Sequence, residues 1–174
     1  MRKNIFWWQF AGFSFACVFG TILHFLYEWT GECVLLAPIS AVNESTAEHM
    51  KIFFFPVFLF AIVQYFYYGK SYRGFWAIKL FGTITGLIFI PTAFYTFTGA
   101  FGMSVDWVNI LIFFLSSASC FLLETHLFLT KSPNVSEKIS IFLLILFGIL
   151  IVLFTFLPPQ IPLFLDPLTG NYGI

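Results

Sequence analysis

Five apolar stretches, each long enough to cross a bilayer as a helix, take up most of this chain. They run roughly over 5–29, 45–69, 74–98, 105–130 and 136–157. A hydrocarbon core needs about 20 apolar residues in helical form. Backbone polar groups in lipid must be satisfied within their own segment, so such runs are read as helices. The expected fold is all-α: one integral membrane domain over 1–174, a bundle of five transmembrane helices, with residues 158–174 as a tail. Only 9% of the 174 residues are charged, against about 25% in a soluble domain. That is too few to cover a water-facing surface, so the lipid bilayer is the expected solvent. Net charge is zero and no nucleic-acid motif is present, which argues against a nucleic-acid partner.

Local signals mark the ends. The first run is too long for a signal peptide and ends in Glu28-Trp29 rather than a small-residue cleavage site, so it reads as a retained span. Ser45-Thr46-Ala47-Glu48 fits a capping box opening span two. Pro158-Pro159 stops span five. Cys17, Cys33 and Cys120 are scattered and form neither a disulfide framework nor a metal pattern. No internal repeat appears, so an inverted-repeat transporter within one chain is not supported.

Basic residues then suggest an orientation. In a five-span reading Arg2, Lys3, Lys70, Arg73, Lys79, Lys131 and Lys138 fall on one side and only Lys51 on the other. The positive-inside rule places the N-terminus in the cytoplasm and the tail outside. The expected location is a bacterial inner membrane, crossed several times.

Span one carries Gly12, Ala16, Gly20, His24 and Glu28 at intervals of four. Residues four apart share a helix face. The small ones suit close contact with another helix, with a homo-oligomer or a partner subunit as the candidates. The ionisable ones are costly at membrane depth and usually face a protein interior or a wet cavity. Span two opens beside them with Asn43, Glu44, Glu48, His49 and Lys51, and Gln64 lies further along the face of His49. Two histidines and several carboxylates can bind a cation, relay protons or ligate a divalent metal. His24, His49 and Glu28 are the metal candidates, though no zinc-type spacing supports them. Bland readings stand beside these: Glu48 as a helix cap, Glu44 and Glu32 as solvated carboxylates, His24 bonded only to Glu28, Lys51 snorkelling or paired with Glu48. Asn43-Glu44-Ser45 also fits a glycosylation sequon.

On the other side lie Lys79, Glu124 and His126. They form either a Lys79–Glu124 ion pair between spans three and four or the inner end of a path whose middle Gln64 would line. The tail, with Pro158, Pro159 and Pro162, is expected to fold back over the outer mouth, bringing Asp166 toward the site, or to lie on the membrane surface.

These residues carry a resemblance. His24-x-x-x-Glu28, Asn43-Glu44-Ser45 with Glu48-His49-x-Lys51, and the Pro-Pro-Gln-Ile-Pro-Leu-Phe-x-Asp-Pro ending resemble a family of small bacterial membrane proteins of unknown function. The resemblance covers most of the chain and implies a polytopic fold without an activity. Tryptophan-rich sensory proteins also have five spans, but their Trp-x-Pro-rich loops are absent here. Vitamin-capture subunits of energy-coupling transporters usually have six spans and an Ala-x-x-x-Ala helix.

Three functional readings follow. The first is binding or translocation of a small solute or ion, a cation or amine, through a His/Glu pocket facing outward. The second is an intramembrane metal-dependent hydrolase or lipid-modifying enzyme. The third is a subunit without chemistry of its own. No cofactor is specified beyond the divalent metal.

Overall fold

The computed structural model describes residues 2–174, with side chains from Asn4 onward. The side chains of Arg2 and Lys3, used above for orientation, lie outside the described residues. Five helices account for the fold: α1 Arg2–Trp29, α2 Thr46–Tyr67, α3 Phe75–Phe101, α4 Asp106–Leu129 and α5 Glu137–Phe156. All five are long and apolar enough to cross a membrane. Among the described residues there is no strand, only an isolated bridge between Leu165 and Tyr172 in the tail. This is the make-up of a multi-pass membrane protein.

Helix α2 is the hub. It touches α1, α3, α4 and α5, while α1 also packs on α4 and α3 packs on both α4 and α5. Its burial matches its composition, since Phe53, Phe54, Val57 and Ala61 are all sealed. Helix α5 is the most lipid-facing of the five, with Phe142 and Ile149 turned outward. It still contributes Leu144, Ser140 and Thr155 to the interior.

The small residues of α1 are spent inside the molecule. A methyl on Gly12 would stand 2.5 Å from Phe121 and 2.9 Å from Phe60, and one on Gly20 would stand 2.3 Å from Phe113. Ala16 between them is fully buried. The seam expected to serve a second copy or a partner helix is therefore filled by the chain's own α2 and α4. Pro56 contributes to this contact. It has no N–H for the Ile52 carbonyl one turn back. That same carbonyl lies 3.1 Å from where a Gly20 methyl would sit. Gly86 of α3 likewise receives the Phe53 ring, with Ser116 donating a 3.0 Å hydrogen bond to the Gly86 carbonyl.

The helix ends are tied by side chains. The Ser45 hydroxyl caps α2 by accepting from the Glu48 N–H at 3.4 Å. Gly102 ends α3 in the left-handed region at φ 68°, which glycine adopts without strain. Glu137, the first residue of α5, accepts from the Trp76 N–H at 2.9 Å. That carboxylate sits where the amide dipoles at the start of α3 favour negative charge. The Tyr72 hydroxyl, just before α3, donates to the Phe128 carbonyl near the end of α4.

These contacts define two ends of the bundle. At one, Trp8 meets Tyr67 and Tyr68, and Phe75 meets Phe128. At the other, His24 meets His49 and the tail returns onto α2.

Candidate functional site

At the His24 end three segments converge on one point. Helix α1 supplies His24 near its C-terminus, the loop before α2 supplies Glu44, and the first turn of α2 supplies His49. The loop turn is built by Asn43, whose Oδ1 accepts from the Ser45 N–H at 2.9 Å. Its Nδ2 donates to the Gly173 carbonyl of the tail, also at 2.9 Å. Both polar atoms of the sequon asparagine are thus engaged. The turn presents Glu44 to the two imidazoles, with its side chain still 40% exposed to solvent.

The Glu44 carboxylate lies between the rings. Oε1 is 3.7 Å from His24 Nε2, and Oε2 is 3.6 Å from His49 Nε2. The ring centroids are 5.3 Å apart. Candidate ligand atoms of the three residues all lie within 4.8 Å of one another. Beside them is a small recess of about 20 Å³, room for about one water-sized group, lined by Glu44, Thr46 and His49 with Ile90, Phe94, Asn109, Ile112 and Phe113. Asn109 was visible in the sequence only as one of several polar positions along span four. Glu28 does not join this group: it is exposed at the end of α1, and His24 faces Glu44 instead. The expected i, i+4 partner is replaced because the loop folds back, its Ala41 N–H donating to the Leu23 carbonyl at 3.1 Å.

Glu48 and Lys51 face a different interior. Lys51 Nζ is 2.5 Å from Glu48 Oε2 and donates to the Ala37 carbonyl and to Thr155 Oγ1, each at 2.8 Å. Thr155 donates to Glu48 Oε1 at 3.2 Å, and Glu48 Oε2 accepts from the Val42 N–H at 2.9 Å. Only half of the capping box therefore forms. The Ser45 N–H that the glutamate would take belongs to Asn43, so the carboxylate turns inward to loop, lysine and α5. Lys51 is fully buried, so it does not snorkel.

Asp166 is used in its own turn. Its carboxylate accepts from the Leu168 N–H at 3.0 Å and from the Thr169 hydroxyl at 2.6 Å. The tail does fold back toward this end, but it reaches the site through the Asn43–Gly173 bond rather than through Asp166.

The other polar residues belong to the opposite end. Gln64 donates to the Trp8 carbonyl at 3.2 Å and so shares no pocket with His49. Fifteen residues of helix at about 1.5 Å each separate the two. Lys79 Nζ is 2.5 Å from Glu124 Oε2, both side chains buried. The ammonium also lies 5.6 Å from the ring centroids of Phe75 and Phe128 and 5.7 Å from that of Phe121. Gly82 makes room for the carboxylate, since a methyl there would stand 2.4 Å from Glu124 Cγ. His126 is exposed and outside the pair. Between the two polar ends, Phe53, Phe60, Phe113 and Phe121 fill the interior against the glycines of α1 and α3.

A family model matches residues 1–174, the whole chain, under the description "Family of unknown function (DUF6512)". The chain belongs to DUF6512. No curated protein and no solved structure matches it.

Two features of this DUF6512 chain escaped the sequence. Thr155 gave no sign of being the third member of a buried charge network, since a lone threonine in an apolar span is unremarkable. For Glu44, named among the pocket residues and also read as a solvated carboxylate, what escaped was its position between the two imidazoles. Its only signal is the asparagine before it, a residue type that builds short side-chain-to-backbone turns.

Proposed function

We propose that this chain is an inner-membrane protein that binds a small cation or protonated amine in the His24–Glu44–His49 pocket. The observation that carries the reading is the Glu44 carboxylate held between two imidazoles at the mouth of a recess. The charge balance favours a cation. Glu44 brings negative charge, Asn109 offers a neutral carbonyl oxygen, and the nearby ammonium of Lys51 is already committed to Glu48 and Thr155. The basic-residue distribution in the sequence supports an outward-facing pocket with the N-terminus inside. Translocation would require the aromatic layer below the pocket to open, so binding is the activity this geometry favours.

The test is a titration of the purified full chain in detergent with methylammonium and, separately, with divalent cations, read by thermal unfolding. A ligand that binds only the folded state raises the unfolding temperature. At least one of these probes should stabilise the chain, and Glu44→Gln should remove the effect. If no probe shifts the transition, or if Glu44→Gln responds like the parent chain, the reading falls.

A further inference from the structure

We infer that the pocket cation is a divalent transition metal, zinc being the best match, held by His24 Nε2, His49 Nε2 and a Glu44 oxygen. The inference rests on the cation-pocket reading and narrows its ligand. Three features carry it.

The first is spacing. Nitrogen–oxygen hydrogen bonds cluster near about 2.9 Å and rarely exceed 3.2 Å. The two imidazole–carboxylate separations, 3.7 and 3.6 Å, are longer than that. Zinc binds nitrogen and carboxylate oxygen at about 2.0–2.2 Å in a tetrahedron, which sets neighbouring ligands about 3.4 Å apart. Each imidazole faces its own Glu44 oxygen at close to that figure, and the whole set of candidate ligand atoms spans no more than 4.8 Å, so side-chain adjustments of about 1 Å would gather both rings and one oxygen around a metal.

The second is the direction of the His49 ring. His49 Nδ1 is 2.9 Å from the Ser45 carbonyl, which can only accept. The neutral ring therefore carries its proton on Nδ1 and turns the Nε2 lone pair toward Glu44. A backbone carbonyl that orients a histidine in this way is the usual outer partner of a metal-bound imidazole.

The third is the donor set. Two imidazoles and one carboxylate suit zinc and its first-row neighbours, whereas magnesium and calcium prefer all-oxygen surroundings. Three protein ligands leave a fourth position. Glu44 and His49 both border the recess, so a solvent or solute oxygen would enter from there.

The experiment uses the full chain purified without a histidine tag, stripped with chelator and titrated with zinc against a chromophoric chelator. The expected result is one zinc per chain, with His24→Ala and His49→Ala each weakening binding by at least about tenfold, the loss that even an outer partner produces. His126→Ala, at the opposite end, should bind zinc like the parent chain. Cobalt loading gives a readout independent of folding yield: the parent chain should show the intense visible bands of a tetrahedral site, and His49→Gln should lose them. Failure to bind zinc stoichiometrically, insensitivity to both histidine substitutions, or the weak bands of octahedral cobalt would each overturn the metal assignment. Methylammonium binding that Glu44→Gln abolishes, in a chain that ignores zinc, would overturn the metal and leave the cation pocket standing. Silence toward both probes would end both readings.

Discussion

Lys79 and Glu124 meet at 2.5 Å with both side chains sealed from solvent, joining α3 to α4. Breaking one member of a buried pair leaves an uncompensated charge and costs about 3–5 kcal/mol, whereas replacing both with well-packed apolar groups is often nearly neutral. Lys79→Met and Glu124→Gln should each lower stability by about that amount. The double variant Lys79→Met/Glu124→Met should recover most of the loss. Chemical unfolding in mixed micelles, run as a double-mutant cycle, measures the coupling.

Gly20 of α1 and Gly99 of α3 are predicted to differ sharply. Gly20→Ala places a methyl 2.3 Å from the Phe113 ring and 3.1 Å from the Ile52 carbonyl. Overpacking of this kind costs about 1–3 kcal/mol. At Gly99 a methyl meets nothing within 4 Å. Gly99→Ala should therefore be neutral or raise helix stability by up to about 1 kcal/mol. Thermal melts of the two variants side by side decide this.

Asn43 and Asp166 should separate pocket from tail. Asn43→Ala removes both the Ser45 turn and the Gly173 bond. It should speed hydrogen exchange in residues 170–174 and also weaken cation binding, because Glu44 loses its support. Asp166→Ala removes two bonds within the tail, each worth about 1 kcal/mol. It should speed exchange around Leu168 and Asn171 without changing cation affinity.

High pH should expose the tyrosines beside α3. Burial pushes the Tyr68 phenol well above its ordinary value, with the nearby Glu124 charge adding to the rise, and burial pushes Tyr72 up as well. A raised phenol stays neutral in the folded chain after its unfolded counterpart has ionised. Its contribution to stability is then complete below about pH 10 and falls as pH rises from there toward the folded value. Unfolding measured between pH 8 and 12 (about two units either side of that midpoint) should show this decline, reduced in Tyr68→Phe/Tyr72→Phe.

The spans were legible because hydrocarbon length and backbone satisfaction leave few alternatives to an apolar run of this size. The α1 ridge was legible as a surface of small residues but not as an internal one. Nothing in the order of Gly12, Ala16 and Gly20 says whose phenylalanines will cover them. The pocket was half legible. His24 and His49 stood out because ionisable residues in apolar spans are expensive. Glu28 was singled out as their carboxylate ligand, with Glu44 named only as a pocket residue, because helical spacing is the only geometry that sequence supplies directly, while Glu44 arrives by a loop fold. A site drawn from a helix end, a loop and a second helix has no fixed ligand spacing, so the missing zinc signature carried no information. The Lys51–Glu48 pair was among the readings of the sequence and forms, but its third member, Thr155, was not legible because it lies 104 residues beyond Lys51.

That distance has a consequence for biogenesis. A chain released before α5 is complete would carry the Lys51–Glu48 pair without the hydroxyl that bonds both of its members. The pair would meet lipid or water on the side that α5 should cover. The fifth span thus closes the charge network of the second. Truncation within α5 should yield a product marked for membrane quality control, and short-lived truncated chains are the outcome a pulse-chase experiment would register.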